Sequence, residues 1–312
     1  MNEGFVGWGL WSTYVKALSV YLHQQQMIPE DRLAMLFQDV FALPISATCL
    51  ANYSTDFAEK IQPLLAVIAE QLRTAEVKHV DESGLRVAAK LHWTHVLSDS
   101  YWTYYRVSEK RGDVPQNLIG ILIHDHFKSY YKLTGVTHGL CGAHHLRELK
   151  GLATIEKESW AKDMFALLQS ACHQVNQGLI APLSAAQIER DYDCIVKQGV
   201  IFHEQQTPLQ QALKGRKKRR TGHNLVLRLR DYKDDALRFL YHANVPFTNN
   251  QAEQDVRMIK VKQKISGGFR TLEGAQAFAA TRSYLSTMRK QCVNLFEAIM
   301  SPCHTNFTRY SG

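Results

Sequence analysis

Several features that would assign the chain to other protein classes are missing from its sequence. No apolar run approaches the roughly 20 residues that a helix needs to cross a bilayer, so we expect no membrane contact. The opening MNEGFVGWGLW lacks a basic stretch and a cleavage pattern, which argues against a signal peptide. The six cysteines are scattered without a C-x-x-C pair, which favours reduced thiols in a cytoplasmic protein over a disulfide framework.

Positive charge is scarce in one region and abundant in the rest. Residues 1–59 hold two cations against six carboxylates, a net charge of −4, whereas the whole chain carries +8. The remaining residues therefore carry +12, and a basic body is typical of proteins that bind polyanions, above all nucleic acids. A basic composition serves solubility about as often, so charge alone assigns no partner.

Residues 14–75 are predicted to be helical. Pro29 starts a helix whose apolar residues keep helical spacing up to Leu43–Pro44, and Ser46 can cap the next helix. The pattern resembles a helix-turn-helix. Residues 46–59 contain no lysine or arginine to anchor phosphates, so a structural helical subdomain is favoured over a DNA reader.

From residue 77 the apolar period becomes that of β-strands. We expect an antiparallel meander over EVKHVDESGLRV, KLHWTHVLSDS and YWTYYRVSEK, with turns at Ser83–Gly84 and Asp99–Ser100. A further strand over residues 119–125 is apolar at most positions, as in strands that are buried on both faces.

Two aspartates close predicted strands. Asp81 ends the apolar part of the first strand, and Asp125 ends the strand over residues 119–125. Such an aspartate is either a cap of a turn or helix, or a ligand at the rim of a sheet. If the two strands are neighbours, the carboxylates repel each other unless a cation neutralises them. Oxygen ligands without a nearby cysteine pair favour magnesium or manganese over zinc.

The stretch PFTNNQAEQDVRMIKVKQK predicts a helix from Asn250 with Glu253 in its first turn. Three cations recur on the face of Glu253: Arg257, Lys260 and Lys264. Three apolar residues form a separate stripe: Ala252, Val256 and Ile259. An ordinary salt-bridged helix shows the same pattern. Taken with the two aspartates, however, a glutamate that leads a row of cations indicates two-metal phosphoryl chemistry.

Other polar residues have simpler interpretations. Cys141 and His144 form a C-x2-H pair, but a zinc site needs about four ligands and no second pair has suitable spacing. Buried packing or hydrogen bonding is therefore favoured for this pair. His124 and His126 flank Asp125, and we expect ordinary packing there. The basic run LKGRKKRRTGHN by itself fits a solvated loop, and a final helix is expected from Leu272 to about Met300.

Five motifs closely resemble those of the insertion-sequence transposases of the family numbered sixty-six: HVDESGLRV, KLHWTHV, LIHDHFKSYY, LCGAHHLREL and FTNNQAEQDVRMIKVKQKISGGFR. The similarity runs in order from about residue 14 to about residue 300. It implies an α/β fold with a ribonuclease-H-like mixed sheet flanked by helices, an N-terminal helical subdomain and a helical insertion. It also implies a DDE triad, which matches Asp81, Asp125 and Glu253 as catalytic residues and metal ligands.

The resemblance also implies domains, a cofactor and partners. The expected domains are 1–75 (helix-turn-helix-like), 76–144 (first part of the catalytic core), 145–245 (helical and basic insertion), 246–300 (rest of the core) and 301–312 (tail). Two magnesium ions, replaceable by manganese, would bind the triad. The partners would be double-stranded DNA, at element ends and target, and further copies of the chain in a dimer or synaptic oligomer in the bacterial cytoplasm. The expected DNA-binding residues are Arg216, Lys217, Lys218, Arg219, Arg220, Arg257, Lys260, Lys262 and Lys264.

The sequence departs from the family in three places. Nothing matches the family's upstream zinc-binding cysteine cluster. Both the opening and the tail MSPCHTNFTRYSG look unlike the sequences of the family. The family's Asp-Glu-Thr-Gly becomes Asp81-Glu82-Ser83-Gly84, which keeps the hydroxyl. We therefore expect a truncated copy. Either it is a DDE transposase core that performs metal-dependent DNA cleavage and strand transfer, or it is a catalytically silent DNA-binding remnant or inhibitor of the intact transposase.

Overall fold

The computed structural model describes residues 4–178, 182–207, 209 and 219–302. The strands in these residues are β1 (Val77–Val87), β2 (Lys90–Ser98), β3 (Thr103–Ser108), β4 (Gly120–His124) and β5 (Val136–Leu140). The helices are α1 (Gly4–Val20), α2 (Glu30–Phe41), α3 (Ala47–Lys60), α4 (Gln62–Thr74), α5 (Gly142–Gly151), α6 (Ser159–Asn176), α7 (Pro182–Glu204), α8 (Thr221–Asp231), α9 (Lys233–Ala236), α10 (Asn250–Ser266), α11 (Leu272–Lys290) and α12 (Leu295–Met300). The protein is mixed α/β, with a five-stranded mixed sheet in the order β3-β2-β1-β4-β5.

The predicted helix boundaries near the N-terminus are confirmed. Pro29 directly precedes α2. The helix ends before Ala42, which has a left-handed conformation with a φ of 52°. The Ser46 hydroxyl accepts a hydrogen bond from the Cys49 backbone N–H at 3.2 Å and so caps α3. Leu33, Phe37 and Leu50 then pack into one buried cluster that joins α2 to α3.

The first three strands form the predicted antiparallel meander, with Asp81 opposite Val96 in the β1–β2 pair. The prediction of a turn at Ser83–Gly84 was wrong, because both residues lie inside β1. The chain instead turns at Ala88–Ala89, which have φ of 47° and 63°. Alanine gives no sequence sign of a left-handed turn, whereas glycine does. The turn after Asp99 is confirmed, since Asp99 Oδ1 accepts the backbone N–H groups of Tyr101 at 2.8 Å and Trp102 at 2.6 Å.

Contacts divide the chain into two units. The first unit comprises Met1–Gly120 and Asn250–Gly312, and the second comprises Ile121–Asn249. In the first unit, α10 and α11 pack on the β1–β3 meander. Its buried core includes Leu85, Val96 and Phe278. The second unit holds β5 and the helices α5 to α9, with α6 packed against α5 and α7.

The C-terminal helix is broken, which corrects the prediction of one helix from Leu272 to Met300. α11 ends at Lys290, and Cys292 has a φ of 57°. Asn294 then caps α12, because its Oδ1 accepts the N–H groups of Phe296 at 2.9 Å and Glu297 at 3.2 Å.

The predictions about membrane helices and about cysteines can be compared with the described residues. No helix among them is long and apolar enough to cross a membrane. Their five cysteines are free thiols, and Cys303 lies outside the described residues.

Candidate functional site

The helix that carries Glu253 has the two faces that its sequence predicts. Its buried residues include Ala252, Val256 and Ile259. Arg257, Lys260 and Lys264 are exposed along the opposite side, and Glu253 is half-buried in the first turn. The N-terminal end of a helix dipole favours negatively charged side chains, which suits a glutamate at this position.

Asp81 lies on the face of β1 that packs against α10. Side chains alternate between the faces of a strand, so Asp81 shares its face with Leu85 and Val87. Both of these residues belong to the core cluster that contains Val256 of α10. Val96, which lies opposite Asp81 in the register, belongs to the same cluster. The half-buried Asp81 carboxylate therefore faces the layer that also carries Glu253.

Hydrogen bonds fix the position of α10 along the direction of the strands. Tyr105 lies opposite Val96, and Val96 lies opposite Asp81, so Tyr105 is level with Asp81 across the three strands. The Tyr105 hydroxyl donates to the backbone carbonyl of Asp255 at 2.9 Å. The start of α10 is thereby held at the level of Asp81.

A second contact further along gives the same alignment. Gln263 Nε2 donates to the carbonyl of Gly84 at 3.0 Å. Glu253 lies about 15 Å before Gln263 along the helix, at about 1.5 Å per residue. Asp81 lies about 10 Å before Gly84 along the strand, at about 3.4 Å per residue. The two residues thus lie at nearly the same level of one β–α layer, offset along it by only about 5 Å.

A buried ion pair, which the sequence analysis missed, holds α10 in this position. Lys290 Nζ lies 2.9 Å from Asp255 Oδ2, and both side chains are about 13–14% exposed. The same carboxylate oxygen accepts the Thr103 hydroxyl at 3.2 Å and the Gln251 amide at 3.3 Å. Burial lowers the pKa of Lys290, and the neighbouring Asp255 opposes that shift. Asp255 therefore anchors the first turns of α10, the helix that carries Glu253.

Glu82, next to Asp81, is also held by protein groups. Its side chain is 2% exposed and accepts two hydrogen bonds from Arg111, at 2.9 and 2.7 Å. The Arg111 guanidinium in turn lies over the Trp93 ring, 4.9 Å from its centroid. Of the two adjacent carboxylates, Asp81 is therefore the one that faces α10.

Asp125 follows β4 directly, as predicted, and lies in the second unit. Its Oδ1 accepts the backbone N–H of Phe127 at 3.0 Å, so the aspartate does cap a turn. The following residue, His126, has a φ of 75°, an uncommon left-handed conformation for a residue with a side chain. One oxygen of the carboxylate therefore orders the turn.

The histidines beside Asp125 form a hydrogen-bonded chain in the second unit. The N–H of His126 donates to His124 Nδ1 at 3.1 Å, so the proton of His124 is on Nε2. That Nε2 lies 3.1 Å from His138 Nδ1 and donates to it. Burial, followed by the nearby histidines, lowers the pKa of His124 to about 3. The chain is therefore neutral and holds the turn in one geometry.

Cys141 is used in the structure as a buried hydrogen-bond acceptor. It is 1% exposed, and its Sγ accepts the backbone N–H of Asn249 at 3.1 Å. The N–H of His144 donates to the Cys141 carbonyl at 3.1 Å, which starts α5. These contacts agree with the predicted packing and hydrogen-bonding role of the C-x2-H motif.

Comparison with known proteins adds the family. The model of the family described as Transposase IS66 matches residues 9–277, which is more than half of the chain. The chain belongs to the IS66 family of transposases. Among curated proteins, none matches the chain. Membership of the IS66 family implies a role in transposition. Transposases in general bind, cleave and rejoin DNA.

The cations that were expected to contact DNA in this IS66 transposase do not all reach solvent. Arg219 is exposed, and Arg220, directly before α8, is partly exposed. Arg216, Lys217 and Lys218 lie outside the described residues.

Lys262 differs from the other cations of α10 because it is only 5% exposed. Its ammonium lies 3.4 Å from His23 Nε2 and about 6 Å from the rings of Phe269 and Phe278. Burial lowers its pKa, and Glu30 opposes that shift. Helical spacing already predicts this burial, because Lys262 lies nine residues after Glu253. Nine residues are two and a half helical turns, which puts Lys262 on the opposite face. Lys262 therefore has a packing role and is left out of the DNA surface.

Proposed function

We propose that the chain is the catalytic core of a DDE transposase, in which Asp81, Asp125 and Glu253 are the catalytic carboxylates. One observation carries the proposal: in a chain of the IS66 family, β1 and α10 present Asp81 and Glu253 at nearly the same level of one layer. Position at the end of a strand supports Asp125 as the third member. The proposed core has a ribonuclease-H-like fold.

The donor set fits a hard divalent cation. Asp81 and Glu253 are half-buried and offer carboxylate oxygens, which are the ligands that magnesium prefers. Two magnesium ions held by the three carboxylates would activate the attacking oxygen and stabilise the leaving oxygen at the scissile phosphate. Manganese, which also prefers oxygen ligands, would substitute.

The chain's own groups would position the DNA. The exposed face of α10 offers Arg257, Lys260 and Lys264 to successive backbone phosphates of double-stranded DNA, beginning one turn from Glu253. In the first reaction, water attacks a phosphodiester at an element end, and the bond to the 3′ oxygen breaks, which leaves a 3′ hydroxyl. In the second, this hydroxyl attacks a target phosphodiester and displaces another 3′ oxygen. Pairing two ends requires two active sites, so the active species would be a dimer or larger synaptic complex.

A plasmid assay tests the proposal. Supercoiled DNA would be incubated with the chain and Mn²⁺ or Mg²⁺, and nicking and strand transfer would be measured. Asp81→Asn, Asp125→Asn and Glu253→Gln each remove one charge with little change in shape. Loss of metal-stabilised charge in the transition state is worth several kcal/mol, so each should slow cleavage by about a hundredfold or more.

Matched controls separate catalysis from general charge effects. Glu273→Gln removes an exposed carboxylate from the first turn of α11, a position equivalent to that of Glu253 in α10. Asp39→Asn removes an exposed carboxylate from the last turn of α2. Both controls should cleave at the wild-type rate. Salt-sensitive DNA binding without cleavage by the wild-type chain would overturn the proposal and leave a silent remnant or inhibitor.

A further inference from the structure

A basic groove lies in the first unit where α10 ends. It has a volume of about 540 Å³ and is formed by the β1–β2 turn and the segment after α10. Its lining residues are Arg86, Ala89, Ser266, Gly267, Gly268, Phe269 and Arg270. This segment is the SGGFR part of the longest family-like motif. The proposed catalytic site does not use it.

The groove has a fixed backbone. The N–H of Phe269 donates to the Arg86 carbonyl at 2.8 Å, and the N–H of Ala88 donates to the Phe269 carbonyl at 2.9 Å. The segment therefore adds a short parallel bridge to the end of β1. Gly268 is required for this approach, since a Cβ there would lie 2.7 Å from the Arg86 carbonyl oxygen. Gly267 supplies a φ of 71° at the end of the helix.

The charge of the groove suits an anion. Arg86 and Arg270 are both exposed, and none of the lining residues is acidic. Arg86 Nη1 donates to the Ala89 carbonyl at 2.9 Å, which orients the guanidinium at the rim. The nearby C-terminus of α10 contributes only about half a negative charge. Two guanidinium groups outweigh it.

We propose that Arg86 and Arg270 of this groove each bind one backbone phosphate of the DNA, distinct from the phosphate at the carboxylates. The inference rests on the proposed function, since it extends the same DNA surface. Ser266, the last residue of α10, lies about 20 Å from Glu253 along the helix. Phosphates of one strand are spaced about 3.4 Å along a duplex axis, so the groove is about six phosphates from the site of cleavage. Arg86 and Arg270 line the groove beside Ser266, the residue where α10 ends.

Salt dependence of DNA binding tests the groove without requiring cleavage. The full chain would be titrated into a fluorescent 20-base-pair duplex, about 68 Å long, in EDTA, and the dissociation constant measured across a range of salt concentrations. Arg86→Gln with Arg270→Gln should reduce the slope of log K against log salt by about 1.8, since each lost phosphate contact removes about 0.9. Arg86→Lys with Arg270→Lys keeps both charges and should restore the slope.

A control double variant removes the same charge elsewhere. Lys60→Gln with Arg289→Gln changes two exposed cations on α3 and α11 and should leave the slope at the wild-type value. Equal loss in the groove and control variants would overturn the inference. Arg270→Gln alone leaves the bond from Arg86 to Ala89 intact, so its expected loss of about 0.9 is independent of any folding defect in the double variant.

Plasmid nicking distinguishes this inference from the proposed function. At saturating DNA, the groove variant should retain kcat, because Arg86 and Arg270 lie far from the carboxylates, while KM rises. A fall in kcat with unchanged KM would contradict a remote phosphate contact. If the wild-type chain cuts no DNA, the proposed catalysis fails, and the salt-slope result still decides the groove.

Discussion

Removal of Asp255 tests whether the buried ion pair holds α10 over the sheet. In the Asp255→Asn variant the shape is kept, but the Lys290 ammonium stays buried at 13% exposure without its carboxylate partner. Its hydrogen bonds to the backbone carbonyls of Asp99 and Trp102, at 2.8 and 3.1 Å, remain. Breaking a buried pair by removing one partner costs about 3–5 kcal/mol. We expect the lower value, about 3 kcal/mol, because these carbonyls remain.

Hydrogen exchange of α10 measures this loss locally. Each 1.4 kcal/mol is about a tenfold change in an opening equilibrium, so amides of α10 should exchange about a hundredfold faster in Asp255→Asn. Metal-dependent nicking should fall with it, since the displaced helix carries Glu253. Asp255→Asn with Lys290→Met removes both charges and should recover most of the protection.

An exposed ion pair provides the matched control. Asp193 and Lys233 lie 2.7 Å apart, but the Asp193 side chain is 59% exposed. Pairs of this kind contribute about 0–1 kcal/mol, so Asp193→Asn should alter exchange less than tenfold. If Asp255→Asn changed exchange of α10 no more than Asp193→Asn changes its own helix, the anchoring role of the buried pair would be refuted.

Three further predictions follow from single side chains. Lys264→Gln should lower the salt slope of DNA binding by about 0.9, whereas Lys262→Met should leave it unchanged, because only Lys264 is exposed; equal slopes for the two variants would contradict the assignment of faces. His126→Val should unfold more readily than His126→Gly by about 1–2 kcal/mol in urea, because a β-branched residue is strained at φ 75°. Burial, followed by Arg228, lowers the pKa of His145 to about 3 from an ordinary 6.5, so its contribution to stability is complete above pH 6.5 and is lost as the pH falls toward 3. His145→Leu should therefore reduce the pH slope of unfolding in acid by up to about 1.4 kcal/mol per pH unit, and an unchanged slope would count against this.

Local chemistry made several features readable from the sequence. The 3.6-residue period of α10 separated its apolar stripe from the exposed cations and put Glu253 in the first turn. Ser46 and Asp99 act as caps because short polar side chains reach nearby backbone N–H groups wherever the chain turns. Pro29 marked the beginning of α2 for a similar local reason. None of these features needs a distant partner.

Other features depend on residues far away in the chain. Gly84 resembles a turn residue, yet β1 continues through it, because its carbonyl accepts Gln263 from α10 and its missing side chain admits Leu91. The turn at Ala88–Ala89 is supported by the bond from Ala88 to Phe269, 181 residues later. Local propensity describes neither contact.

The same division applies to the candidate site. The sequence alone placed Asp125 at a strand end and Glu253 at a helix start, whereas Asp81, also predicted at a strand end, lies inside β1. Only the tertiary structure showed that Tyr105 holds α10 level with Asp81, that Lys290 occupies Asp255, and that Arg86 and Arg270 line one groove. Such pairings arise when helices and strands pack, because packing brings together residues that no periodic pattern relates.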